Sequence, residues 1–164
     1  MPYIQRDENN KIVGQYSNLQ EGIAEEWLED NDPEIVLINL TQLKIQKKVE
    51  LSNIVDMKCT EGFSHGQNKF TMSPSGWLRI LSMVTLAESV KDGRRIWNEN
   101  YALRDVNGSW ITLPSENDME SLADAALGFY LSISAKYRQK EAEIDAVTTL
   151  EDINTFDPWS GWDE

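Results

Sequence analysis

Two dipeptides, Asp32-Pro33 and Ser73-Pro74, divide this chain more firmly than anything else in it. In each, a short polar side chain can accept from the free N–H groups of a first helical turn. The proline that follows lacks an N–H and already holds a helical φ. Each pair therefore predicts a helix start. From Glu34 to about Met57, Val36, Leu40, Leu43, Leu51 and Ile54 recur near helical spacing, with Lys47 interrupting the stripe. Ile38, Ile45 and Val49 widen its apolar surface, which suits a helix that packs or self-associates over residues 34–57. Its many β-branched residues leave room for part of it to be extended. After Ser73-Pro74, Trp77, Ile80, Leu81, Val84 and Ala87 share one face, so Ser75 to Val90 is read as a buried amphipathic helix stopped by Lys91-Asp92-Gly93.

A third helix follows Pro114-Ser115, with Ser115 as cap and Asp118 three residues on. Its stripe runs through Met119, Leu122, Ala126, Phe129 or Tyr130, Ile133, Tyr137 and Ile144, and it ends near Ala146. The run Thr148-Thr149-Leu150-Glu151 reads as a second capping box opening a short helix. Between these helices lie hairpin signals. Tyr3–Arg6 and Ile12–Tyr16 flank the polar turn Asp7-Glu8-Asn9-Asn10-Lys11, and Ala24–Leu28 reads as a short turn or a strand. Phe63-Ser64 and Lys69–Thr71 surround His65-Gly66-Gln67-Asn68. Asn100–Asp105 and Ser109–Leu113 surround Asn107-Gly108, a dipeptide suited to a tight turn. The expected fold class is α+β: an N-terminal β-hairpin and helix, then a small domain of two β-hairpins packed with two longer helices and one short helix. The expected division is 1–31 as hairpin segment, 32–58 as connecting helix and 59–164 as C-terminal domain with an acidic aromatic tail. A chain of 164 residues can bury a core without covalent staples.

The chemistry-bearing residues are sparse. The net charge is −13, with 28 acidic against 15 basic side chains, so phosphate backbones and anionic membranes are repelled. The basic groups Lys44, Lys47, Lys48 and Lys91, Arg94, Arg95 are short and flanked by acids. No apolar run approaches the ~18 residues of a spanning helix, since Trp77–Val90 is broken by Arg79, Ser82 and Glu88. The opening Met1-Pro2-Tyr3-Ile4-Gln5-Arg6 has no leader pattern. Neither nucleic acid nor membrane is an expected partner. His65 and Cys59 are single, which leaves no metal ligand set and no supported nucleophile–base pair. Asp105-Val106-Asn107-Gly108-Ser109 has too few acidic positions for a calcium loop. Gly62 and Gly66 make no phosphate loop. The carboxylate pairs Glu25-Glu26, Glu141 with Glu143, Glu151-Asp152 and Asp163-Glu164 single out nothing in so acidic a chain. The expectation is a non-enzymatic binding protein without cofactor or metal.

The six tryptophans carry more information. Trp77 is expected in the core, and of Trp97 and Trp110 one in the core and one at the surface. Trp159 and Trp162 follow Pro158 in a polar tail, and either fold back on the domain or dock on a partner. Candidate partner-binding residues are Trp159, Trp162 and Trp110, with Phe129, Tyr130 and Tyr137 on the third helix.

The order of these motifs resembles a family. Pro2-Tyr3-Ile4-Gln5-Arg6-Asp7, Lys11-Ile12-Val13-Gly14 and Ala24-Glu25-Glu26-Trp27-Leu28 are similar to the start of small proteins encoded in phage and prophage tail-fibre regions. Phe63 through Phe70-Thr71-Met72-Ser73, the Trp110 hairpin, Ala135-Lys136-Tyr137-Arg138 and Ile144–Ile153 resemble an uncharacterised domain of the same gene clusters. Trp77 and Met83 depart from it, standing where small or polar residues are usual. The resemblance implies a tail-fibre assembly chaperone in the cytoplasm of a bacterial host, whose partner is a trimeric tail fibre, bound at its C-terminal tip. The alternatives it leaves are a structural component kept in the virion at the fibre tip or tail joint, or a glycan-binding adhesin tip.

Overall fold

The computed structural model describes residues 1–162. Among them the order is β1 (Tyr3–Arg6), β2 (Ile12–Tyr16), β3 (Glu26–Trp27), α1 (Pro33–Glu61), β4 (Phe63–His65), β5 (Asn68–Phe70), α2 (Pro74–Lys91), β6 (Ala102–Arg104), β7 (Trp110–Thr112), α3 (Glu116–Ala146) and α4 (Leu150–Thr155). This is an α+β fold of helices with small antiparallel sheets. It divides into two compact units. One holds Met1–Lys48 and Ile144–Asp157; the other holds Val49–Glu143 and the chain from Pro158 onward. The expected breaks after residues 31 and 58 are not where the chain divides. Two of the divisions fall inside the long helices α1 and α3, and a helical segment carries no turn chemistry to mark a boundary. None of the described helices is long and apolar enough to cross a membrane.

The first unit is built on a three-stranded sheet of order β2-β1-β3. Asp7 makes its hairpin turn, accepting at Oδ1 from the N–H groups of Asn9 and Lys11 at 2.9 Å each. Asn10 supplies the positive φ of 64° that the turn needs. The segment read as turn or strand is β3, which pairs Tyr3 with Trp27 and Ile4 with Glu26. Arg6 on β1 bonds Glu26 Oε2 at 2.9 Å and Glu34 Oε2 at 2.8 Å. Those two carboxylates, Glu26 first, hold the guanidinium above its ordinary value, and Arg6 in turn holds the Glu26 carboxyl below its own. Asp32 caps α1 as expected, accepting from Glu34 N at 2.9 Å. Two lysines of the first basic group serve a helix end: Lys44 Nζ donates to the Asp145 carbonyl and Lys48 Nζ to the Asp145 carboxylate, each at 2.8 Å. Cations there answer the unpaired carbonyls and the negative end of the helix dipole. The short helix α4 is capped by Thr149 with Asp152, one residue later than expected, with Asp152 N on Thr149 Oγ1 at 3.1 Å. Ile4, Ala24, Ile35, Leu40, Ile144 and Ile153 are the buried apolar residues of this unit.

In the second unit α1 stays helical one turn past Met57 and ends where Gly62 takes φ +78°. A side chain on Gly62 would lie 1.9 Å from the Phe70 carbonyl oxygen, so hairpin β4–β5 folds back against a residue that has to be glycine. Met72 N reaches the Cys59 carbonyl at 2.7 Å and closes the loop. The hairpin turns through Gly66-Gln67, with His65 and Asn68 paired as its last residues. Glycine first with positive φ is what a two-residue loop of the II′ kind requires. Ser73 caps α2, and Gly76 passes so close to Thr71 that a Cβ would sit 2.4 Å from its carbonyl oxygen. Hairpin β6–β7 has a three-residue loop, Val106–Gly108, which holds the expected Asn107-Gly108 pair. Asp105 Oδ1 accepts from Asn107 N and Ser109 N at 2.9 and 2.8 Å, repeating the Asp7 turn. Ser115 and Asp118 close the capping box of α3, at 3.0 and 3.2 Å.

Phe63, Phe70, Ile80, Leu103, Leu113, Met119, Leu122 and Ala126 form the core of this unit, with Trp77, Trp97 and Phe129 at its margin. Phe63 stacks on Phe70 and on Phe129 with ring centroids 6.0 Å apart. Trp97 donates to the Leu113 carbonyl at 2.8 Å, so it is the core member of the Trp97 and Trp110 pair.

Gly62→Ala should destabilise the protein by more than ~2 kcal/mol, because positive φ and a backbone clash add. Gly66→Ala, with the same sign of φ but open space around it, should cost only ~1 kcal/mol. Urea unfolding of the two variants checks this; equal losses would contradict the packing described for Gly62.

Candidate functional site

Tyr130, Ser134, Tyr137 and Arg138 stand at helical spacing on α3 and emerge on one side of it. Phe129 lies a hundred degrees around the helix and packs inward on Phe63, which settles which of the adjacent Phe129 and Tyr130 belongs to the stripe. Phe129 is therefore packed against the core at its margin rather than turned out as a contact residue. Tyr130 and Tyr137, with Leu131 and Arg138, line a groove of about 490 Å³ whose other wall is Val55 and Cys59 of α1. Cys59 and Tyr130 also line a second, wider groove of about 700 Å³ that reaches Asp56, Met72, Pro74 and Trp77. The two grooves meet at these shared residues. Leu127, Tyr130 and Leu131 are each about half exposed, at 48%, 52% and 53%, so the α3 side carries contiguous apolar surface open to a partner.

Burial first, and the Asp56 carboxylate second, push the Cys59 thiol up, so it stays protonated near neutral pH and is a poor nucleophile. Ser134 and Tyr137 offer hydroxyls and Arg138 a guanidinium whose Nε already donates to the Ser134 carbonyl at 3.2 Å. Among the described residues no group of three His, Cys, Asp or Glu stands together as metal ligands. The loop with a faint likeness to a calcium site has its Asp105 Oδ1 committed to the turn.

The remaining candidates lie elsewhere on the second unit. Trp110 is 64% exposed on β7, and the Arg104 guanidinium lies 4.6 Å from its ring centre. Of the two tail tryptophans, Trp162 folds back. It is 8% exposed, and its indole N–H donates to the Pro158 carbonyl at 2.8 Å. Trp162 is thus part of the packing and not an exposed anchor, because the turn from Pro158 folds it back. Lys140, itself buried, fastens the same turn through Ser160 Oγ at 3.0 Å and Glu143 at 3.0 Å. Trp159 stays about half exposed. Asp163 and Glu164, the last acidic pair, lie outside the described residues.

Sequence reasoning missed Cys59, Leu127 and Leu131 as surface-forming residues. The two leucines fall outside the inward stripe at a spacing of four, and that spacing is the signal that marks them. Trp77 and Met83 both line grooves. No family model, no curated protein and no solved structure matches this chain.

At about pH 7.5, Cys59 should react with a thiol-specific reagent at least about tenfold more slowly than a free thiol. Asp56→Asn should speed the reaction by less than unfolding in urea does, because burial is the larger cause. A native rate equal to that of a free thiol would contradict the burial argument.

Proposed function

We propose that this chain is a tail-fibre assembly chaperone. It acts in the cytoplasm of the bacterial host and covers part of a trimeric fibre, at or near its C-terminal tip, until the three chains are in register. The observation that carries the reading is the apolar face around Tyr130, on a chain of net charge −13 whose motif order resembles proteins of fibre gene clusters. A fibre is β-rich, and its strand edges and apolar surface stay open until trimerisation pairs them. A partner that offers aromatic and aliphatic side chains in an open groove can bury such surface reversibly. Half-exposed residues such as Tyr130 and Leu131 supply roughly 1 to 2 kcal/mol each when fully covered. That is enough for binding and for release once the fibre satisfies its own edges. The acidic exterior keeps the complex dispersed. The work needs binding energy alone.

Co-expression with the neighbouring fibre gene tests this. Soluble fibre trimer should depend on the chain. The double variant Tyr130→Ala with Leu131→Ala should lower the trimer yield about tenfold while its own thermal unfolding changes little, since both side chains are already half in water. A trimer yield that is unchanged without the chain would sink the proposal.

A further inference from the structure

A groove of about 370 Å³ runs beside β6, with Leu78, Arg79, Ser82 and Met83 of α2 on its far side. Ala102, Leu103 and Arg104 all line it, and they are consecutive strand residues. Side chains alternate between the faces of a strand, so three in a row mean that the groove follows the strand's edge. β6 pairs with β7 in a two-stranded sheet, which leaves its other edge open along Ala102–Arg104; just past the strand, Val106 N meets the Lys69 carbonyl of β5 at 2.8 Å. The pattern of the ladder says which groups it presents. Leu113 N bonds the Tyr101 carbonyl at 2.7 Å and Asp105 N bonds the Ser109 carbonyl at 3.0 Å. Tyr101, Leu103 and Asp105 therefore turn their backbone groups towards β7, and Ala102 and Arg104 turn theirs away. Among the described residues no backbone hydrogen bond reaches the N–H or C=O of Ala102 or Arg104 from that side.

The side chains around this edge select a ligand. Arg104 and Arg79 both line the groove, and neither joins a carboxylate among the described residues, although the chain is strongly acidic and pairs Arg6, Lys91, Arg94 and Lys140. The Arg104 guanidinium rests over the Trp110 ring, and its planar fork can grip a carboxylate with two parallel bonds. The rest of the lining is largely apolar: Leu78 is 63% exposed, and Met83 and the Trp110 ring join it. Ser82 is the one neutral hydroxyl there, and it already donates to the Leu78 carbonyl at 2.8 Å, so it has no proton left for a sugar hydroxyl.

We infer that the open edge of β6 takes an extended segment of a partner protein as an added strand. A carboxylate of that segment is held by Arg104 and Arg79, and a neighbouring apolar side chain rests on Leu78 and Met83. Main-chain bonds to Ala102 and Arg104 supply affinity, and the arginines supply selection. This site is separate from the Tyr130 face and stands without it.

Labelled heptapeptides of valine alternating with glutamate, lysine or serine, titrated against the full chain, test the inference. The glutamate peptide should bind at least about tenfold more tightly than the other two and should slow amide exchange at Ala102 and Arg104. Arg104→Gln should erase most of that preference. Ala102→Pro, which removes an outward-facing donor, should weaken every peptide; the Arg104 variant keeps the test decisive if the proline variant does not fold. Equal binding of the three peptides, no binding of any, or no protection at the two amides would overturn it. So would competition by a glucuronate polymer as strong as by the glutamate peptide, which would indicate a glycan. A dimer of the chain that Arg104→Gln dissociates would overturn it in favour of a second copy.

Discussion

The second unit depends on how α1 hands over to the first strand after it. Gly62 ends the helix at φ +78° and lets the Phe70 carbonyl pass where any other side chain would stand. From that close approach the rest follows. Phe63 and Phe70 face each other across the hairpin and meet Phe129 of α3. Cys59 keeps its carbonyl for Met72, which brings the chain round to the Ser73 cap and Gly76. Packing of this kind tolerates little change in volume, so one backbone contact sets the position of a whole aromatic cluster. The groove at Cys59 and Tyr130 lies beside the same joint, between the end of α1, the start of α2 and Tyr130 of α3.

Most of the elements are legible in the sequence because the chemistry that sets them is local. Asp32-Pro33, Ser73-Pro74 and Ser115 with Asp118 all open helices, since capping needs only residues within one turn. The hairpins are legible for the same reason, and Asn107-Gly108 does fall in the loop after Asp105. The Asp105 side chain organises that turn from its first residue. The unit boundaries within α1 and α3 are not legible, because no residue there breaks the helical pattern.

The candidate site is half legible. Tyr130, Tyr137 and Trp110 are at the surface beside grooves, and Phe129 and Trp162 are in the packing. A helical wheel cannot say which of two adjacent aromatics faces inward until the core's position is known. Trp162 is undecidable from sequence for a different reason. Its burial rests on Pro158 and on a buried Lys140 more than a dozen residues away, and no local pattern announces such a contact. The arginines of the third groove give no sign in the sequence. In a chain with 15 basic residues, what marks Arg79 and Arg104 is that they line one groove, and only the fold brings them together.

The central claim is that a partner is bound on the α3 face that Tyr130 and Tyr137 present. Hydrogen exchange, measured on the chain alone and in its complex with the fibre, tests it most directly. The account predicts slowed exchange along α3 through Tyr130 and Tyr137 and along α1 around Cys59 when fibre is bound. Unchanged exchange in both segments, with protection confined to the sheet of β1, β2 and β3, would contradict it.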